Sequence, residues 1–145
     1  MVAIISENVE MYIKTIWTLK QSKGHAKTTE ISSMLKVVPS SVTEMLQRLQ
    51  QDGFVVHTDY KGCQLTKKGN ALASKLIHKE NLLRRFLHEI LKIPKNKVQD
   101  EACKLEHYIS KETEKSLYKF LSRPDKHTVD KKPILKCAEC MNKFS

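Results

Sequence analysis

The sequence predicts a mainly α-helical protein in which a winged helix–turn–helix unit precedes a second, helical domain. Three observations carry this. Apolar residues recur with helical periodicity through most of the chain. A short helix, a tight turn and a proline-opened helix follow one another between residues 28 and 52. A β-branched stretch with turn chemistry at its centre, residues 54–66, interrupts the helical pattern.

The first helix is predicted over 6–22. Val9, Tyr12, Ile13, Ile16 and Leu19 form one apolar stripe, Ser6 is the expected N-cap, and Gly24 ends the helix. Met11 falls roughly opposite that stripe at 100° per residue, so it does not serve the same core. Thr28–Leu35 is a second helix with Ile31, Met34 and Leu35 inward, and Lys36 to Pro39 is the turn. The third helix spans 40–52, with Val42, Met45, Leu46 and Leu49 inward and Gly53 as its stop. Pro39 suits its start, where no helical hydrogen bond is lost. Residues 54–58 and 63–66 flank Asp59-Tyr-Lys-Gly62 and read as a β-hairpin, the wing.

A long helix is expected from Asn70 to about Leu91, with the stripe Leu72, Ala73, Leu76, Glu80, Leu83, Leu87 and Ile90. Pro94 opens another helix through Ile109, with Val98, Ala102, Leu105 and Ile109 inward, and Ser110 caps a last one over 111–121. The domain bounds are therefore 1–70 for the winged unit, 71–123 for the helical unit and 124–145 for a basic tail.

The formal net charge is +10 and the isoelectric point about 9.5, a balance that favours polyanionic partners, nucleic acid above all. No apolar run reaches the ~18–20 residues of a membrane span, so no membrane partner is expected. Four cysteines, at 63, 103, 137 and 140, make no secreted disulfide framework and fit a reduced, cytoplasmic setting.

On the third helix the outward positions are Ser40, Thr43, Glu44 and Gln47, with Arg48 at the flank. Hydroxyls and an amide read base edges, and arginine holds phosphate. Glu44 repels phosphate but can accept from cytosine N4. Lys61 at the wing tip, with Lys67 and Lys68 just after, are candidate phosphate contacts. The alternative is a three-helix core with a solvated polar face.

Gln99-Asp-Glu-Ala-Cys-Lys-Leu-Glu-His107 sets a thiol, a carboxylate and an imidazole at Cys103, Glu106 and His107. The spacing i, i+3, i+4 places them on one helical face. Glu80 interrupts an apolar stripe, and a buried carboxylate needs a cation or a proton. Thiolate and thioether donors select borderline-soft ions over magnesium or calcium. Cys137-Ala-Glu-Cys140 is a lone CxxC, half a zinc site or a redox pair, with two tail thiols of no fixed role as the plainer alternative.

Residues 6–122 resemble the diphtheria toxin repressor family of iron- and manganese-dependent transcriptional regulators. The resemblance rests on Glu10-Met-Tyr-Ile13, Pro39-Ser-Ser-Val-Thr43, Leu49-Gln-Gln-Asp-Gly-Phe54, Leu65-Thr-Lys-Lys-Gly69 and, most specifically, Asp100-Glu-Ala-Cys-Lys-Leu-Glu-His107. It implies a homodimer that binds palindromic double-stranded operator DNA when loaded with a divalent ion. The implied gating ligands are Met11, Cys103, Glu106 and His107. It also implies that the opening of the third helix, Pro39, Ser40 and Ser41 included, lies against DNA. Manganese-tuned members carry aspartate at the Met11 position and glutamate at that of Cys103, so this chain resembles the iron type, with Fe(II) expected first and Mn(II) next. A second family site uses histidine at Glu80, an acid at Arg84 and histidine at Gln99. Two of its three donors are lost here, which leaves Glu80 either an altered ligand or an ion-pair partner of Arg84. Many members add a C-terminal SH3-like domain, for which 145 residues leave no room.

The expectation is a metal-activated repressor of metal-homeostasis genes. An enzyme built on Cys103, Glu106 and His107 is the alternative of another class. Against it stands the lack of a phosphate loop, a nucleophile elbow or paired catalytic carboxylates in the sequence. A winged-helix regulator that ignores metals is the third reading.

Overall fold

A computed structural model describes residues 5–58, 60 and 62–122. The order is α1 (Glu7–Lys23), α2 (Thr28–Leu35), α3 (Pro39–Gln51), β1 (Val55–Thr58), β2 (Gly62–Leu65), α4 (Lys67–Arg85), a π-helical turn (Phe86–Ile90), α5 (Lys95–Leu105) and α6 (Lys111–Ser122). The chain divides into two compact units, Met1–Lys75 and Leu76–Ser145, with the division inside α4.

In the first unit, Ser6 Oγ accepts from the Val9 amide at 3.4 Å, and Gly24 closes α1 with φ 78°. The expected stripe of α1 is buried and packs with Ala26, Ile31, Val42, Leu49, Phe54, Val55, Cys63 and Leu65. Met34 departs from expectation. It is 49% exposed, while Ile31 is fully buried and Leu35 packs half-buried against the core. Pro39 is the first residue of α3, one residue earlier than expected, and occupies the position where its missing N–H costs nothing.

The strands pair antiparallel with Val55 opposite Leu65 and Thr58 opposite Gly62. A parallel bridge joins Ala26 to Gly62, and the Cys63 amide donates to Ala26 O at 2.9 Å. Gly62 has φ 69°, and a Cβ there would sit 2.5 Å from Ala26 O, so glycine alone fits. Helix α4 begins at Lys67, before the expected Asn70. Thr66 Oγ1 accepts from the Gly69 amide at 3.2 Å and Thr66 O from the Asn70 amide at 2.8 Å. A threonine N-cap thus moves the start upstream.

The second unit has two apolar clusters. Leu82 and Leu121 pack with Phe86, Ile90 and Tyr118, while Leu83, Leu87, Val98 and Ala102 pack with Ile93, Ile109 and Leu117. The single stripe expected for the long helix is therefore two faces. Leu82, outside that stripe, is fully buried. The π-helical turn is marked by the Leu91 amide donating to Phe86 O at 3.2 Å, and through it Phe86 and Leu87 continue the split already made by Leu82 and Leu83. Helix α5 stops at Leu105, short of the expected Ile109. Leu105 is 39% exposed, and Glu106 takes the inward place. Ser110 Oγ accepts from the Thr113 amide at 3.2 Å and caps α6.

Candidate metal centre and nucleic-acid interface

Cys103 lies in the last turn of α5, Glu106 is that helix's C-cap, and His107 follows in the turn. The helix ends before the trio is complete. The backbone nevertheless stays compact, since the Glu106 amide donates to Ala102 O at 3.0 Å and the Tyr108 amide to Leu105 O at 3.1 Å. One donor atom from each of the three residues converges, all within 4.8 Å of one another. Two ligands bound to one ion at about 2.0–2.3 Å can be at most ~4.6 Å apart. Closing this set on a single ion therefore asks for small side-chain shifts.

The electrostatics agree. The Glu106 side chain is fully buried, and that of His107 is 2% exposed. A buried carboxylate costs several kcal/mol unless a cation or a proton offsets it. A dication beside Glu106 would supply that offset. Neutral imidazole and a thiolate complete a set suited to Fe(II), Mn(II), Ni(II), Co(II) or Zn(II). The residues present fit a divalent transition ion.

Met11 is half-buried on α1, in the first unit, apart from the α1 stripe as expected. Glu80 is buried but lies outside the converging trio. Its Oε1 accepts a hydrogen bond from Gln99 Nε2. Arg84, the i, i+4 partner weighed for it, forms no ion pair among the described residues. Two positions that depart from the family's second site, Glu80 and Gln99, thus meet each other.

On α3 the residues Pro39, Ser40, Ser41, Thr43, Glu44, Gln47 and Arg48 are all exposed, while Val42 and Leu49 on the opposite face are fully buried. Thr43 Oγ1 donates to Pro39 O at 3.1 Å, which leaves its lone pairs outward as acceptors. Lys61 lies outside the described residues, as do Cys137 and Cys140. Lys68 is committed locally. Its Nζ donates to Asp52 O at 2.8 Å and sits 4.4 Å above the Phe54 ring.

His78 lies on α4. The structure buries it against Glu114, with Nε2 to Oε1 at 3.4 Å and both side chains nearly inaccessible. Thirty-six positions separate them, so no local spacing signals the pair. His25 and His88 also have partners: Glu30 Oε2 at 3.0 Å and Ile93 O at 3.0 Å.

Comparison with known proteins agrees with this architecture. Residues 5–63 match the iron-dependent repressor N-terminal DNA-binding domain, and residues 66–136 match the iron-dependent repressor metal-binding and dimerisation domain. The HTH-type transcriptional regulator MntR of Bacillus pumilus is 33% identical over 95% of this chain and 97% of its own. The solved manganese regulator SloR is 32% identical with a TM-score of 0.71, over 83% of this chain and 56% of that one. The structure of ScaR with bound Zn(II) is 30% identical with a TM-score of 0.70, again over 83% and 56%. This chain thus spans little more than half the length of those two solved proteins. No helix among the described residues is long and apolar enough to cross a membrane. With the two family domains consecutive along the chain and a relative matched along nearly its whole length, the protein belongs to the iron-dependent (diphtheria toxin) repressor family of metal-dependent transcriptional repressors.

Proposed function

We propose that this protein is a cytoplasmic, homodimeric repressor that binds palindromic operator DNA when Cys103, Glu106 and His107, with Met11, hold Fe(II). The observation that carries the reading is the convergence of the three donor atoms within 4.8 Å around a fully buried carboxylate. The thiol at 103 and the thioether at 11 stand where manganese-tuned members carry carboxylates, which favours the softer ion. Glu80, engaged with Gln99, stays outside this ligand set.

Bound metal would supply the positive charge that makes burial of Glu106 favourable. The chain's own residues do the rest. Cys103, on α5, and His107, in its terminal turn, would hold the ion beside Glu106. Ser40, Ser41, Thr43, Glu44 and Gln47 present hydrogen-bonding groups to a groove, and Arg48 and Lys61 offer charge to phosphate. If the ion binds the DNA-competent state more tightly, DNA must strengthen metal binding by the same factor.

The test is an anaerobic mobility-shift titration with Fe(II), Mn(II), Ni(II) and Zn(II) on a duplex selected from a random pool by the metal-loaded protein. Activation by Fe(II) at the lowest free concentration, lost with a chelator, is the expected result. Activation by Mn(II) at lower concentration supports the second reading, a manganese-responsive repressor, which the likeness to the solved manganese regulator SloR favours. Binding indifferent to every ion overturns both.

A further inference from the structure

The end of α4, the π-helical turn and the start of α5 border an open cavity of about 510 Å³. That volume lies in the small-molecule range. Arg84, Arg85 and Lys95 line it, against a single carboxylate, Glu89. Arg85 is matched to Glu89 by two hydrogen bonds of 3.0 Å, from Nε and from an Nη. Arg84 and Lys95 have no ion pair among the described residues, so two cations face the space without a counter-charge there.

The rest of the wall supplies uncharged hydrogen-bonding groups. Asn81 and Gln99 carry side-chain amides. Gln99 donates one amide hydrogen to Glu80, which keeps that carboxylate occupied. His88 Nδ1 donates to Ile93 O at 3.0 Å, which fixes its ring at the cavity wall. Lys95 is the first residue of α5, and no acid stands in that first turn, so the positive end of the helix adds to the field. A metal ion entering this space would meet Arg84 and Lys95, which repel it.

We propose that this cavity binds a small polyanion carrying at least two negative oxygens, of the phosphate or polycarboxylate class. Arg84 offers the planar fork that pairs with a phosphate or carboxylate edge. Lys95 places a point charge at the α5 end, and Asn81 and Gln99 fix orientation. The site is separate from the Cys103, Glu106 and His107 cluster, and the inference stands whether or not that cluster binds metal.

The test is calorimetric titration of the metal-free full-length protein at about 0.15 M chloride, where screening suppresses loose surface association. The probes are pyrophosphate, citrate and acetate. Expected is one saturable site per chain for pyrophosphate or citrate and none for acetate. Arg84→Ala and Lys95→Ala, both at exposed positions, should each weaken binding about tenfold, in line with loss of one charged hydrogen bond. Lys104→Ala, exposed on the same helix, should leave it unchanged. Tighter pyrophosphate binding assigns a phosphorylated ligand, and tighter citrate binding a polycarboxylate. Non-saturating heats, equal loss in Lys104→Ala, or binding that survives Arg84→Ala with Lys95→Ala would overturn the proposal. Amide shifts confined to residues 81–99 on titration are the independent check.

Discussion

Glu106 Oε1 lies 3.5 Å from His107 Nε2, and neither side chain has appreciable contact with solvent. An acid and an imidazole so placed, with a thiol one turn earlier, form a compact donor set. Its metal role rests on what substitutions at these positions do.

Removing a ligand should separate metal response from folding. Cys103→Ala and His107→Ala should weaken metal-dependent operator binding by about 100-fold or more, since even an outer-shell change costs about 10–100-fold. Circular dichroism should show the helices intact. Unchanged metal dependence in a mobility-shift titration of either variant would falsify the ligand assignment.

Glu106→Gln tests the buried charge. An isosteric neutral side chain removes the need for a nearby cation. The metal-free variant should melt at the wild-type temperature or above. Wild-type protein at about 100 times the metal dissociation constant should gain about 2.7 kcal/mol, and Glu106→Gln should lose most of that gain. Scanning calorimetry with and without metal reads both effects.

Metal preference should follow donor hardness. Met11→Asp combined with Cys103→Glu replaces two soft donors by carboxylates. The ratio of Mn(II) to Zn(II) needed for half-maximal DNA binding should fall by about tenfold or more, converting donor-set differences of ~1.4 kcal/mol or more. An unchanged ratio shows that these two positions do not set selectivity.

Cys63 should behave as an inert core thiol. Burial pushes it from an ordinary value of 9.0 up to about 12. The unfolded chain loses this proton first as pH rises, so the contribution is complete below about pH 9 and is lost as pH climbs toward 12. Cys63→Ala should flatten the alkaline arm of a urea-stability profile. Alkylation at pH 8, mapped by mass spectrometry, should be on the order of a hundredfold slower at Cys63 than at half-buried Cys103, because Cys63 must wait for opening. Comparable rates contradict the buried, protonated assignment.

Two apolar residues that the sequence treats alike should differ in stability. Ile13→Ala, at a fully buried position, should cost about 2–5 kcal/mol. Met34→Ala, at a position 49% exposed, should cost under about 1 kcal/mol. Chemical denaturation of the two variants decides it.

Much of the first unit was legible because its signals are local. Ser6, Gly24 and Pro39 cap or open helices through their nearest neighbours, and the stripe of α1 follows from 3.6 periodicity alone. Cys103, Glu106 and His107 were legible for the same reason, since they occupy one turn. Thr66 as the cap of α4 was missed because Gly69 and Asn70, poor helix formers, read as the stretch before a helix rather than its first turn. The stop of α5 at Leu105 was missed because an apolar residue remained in phase beyond it.

What the sequence by itself determined is therefore the set of helices, the hairpin, the donor trio and the outward residues of α3. The tertiary structure decided which polar groups meet. It set Gln99 against Glu80, His78 against Glu114, and Arg84 and Lys95 around one cavity. Periodicity and capping act within one or two turns. Partner choice for a buried charge is settled by whatever distant element folds against it, because an uncompensated charge in the interior costs more than any local preference supplies.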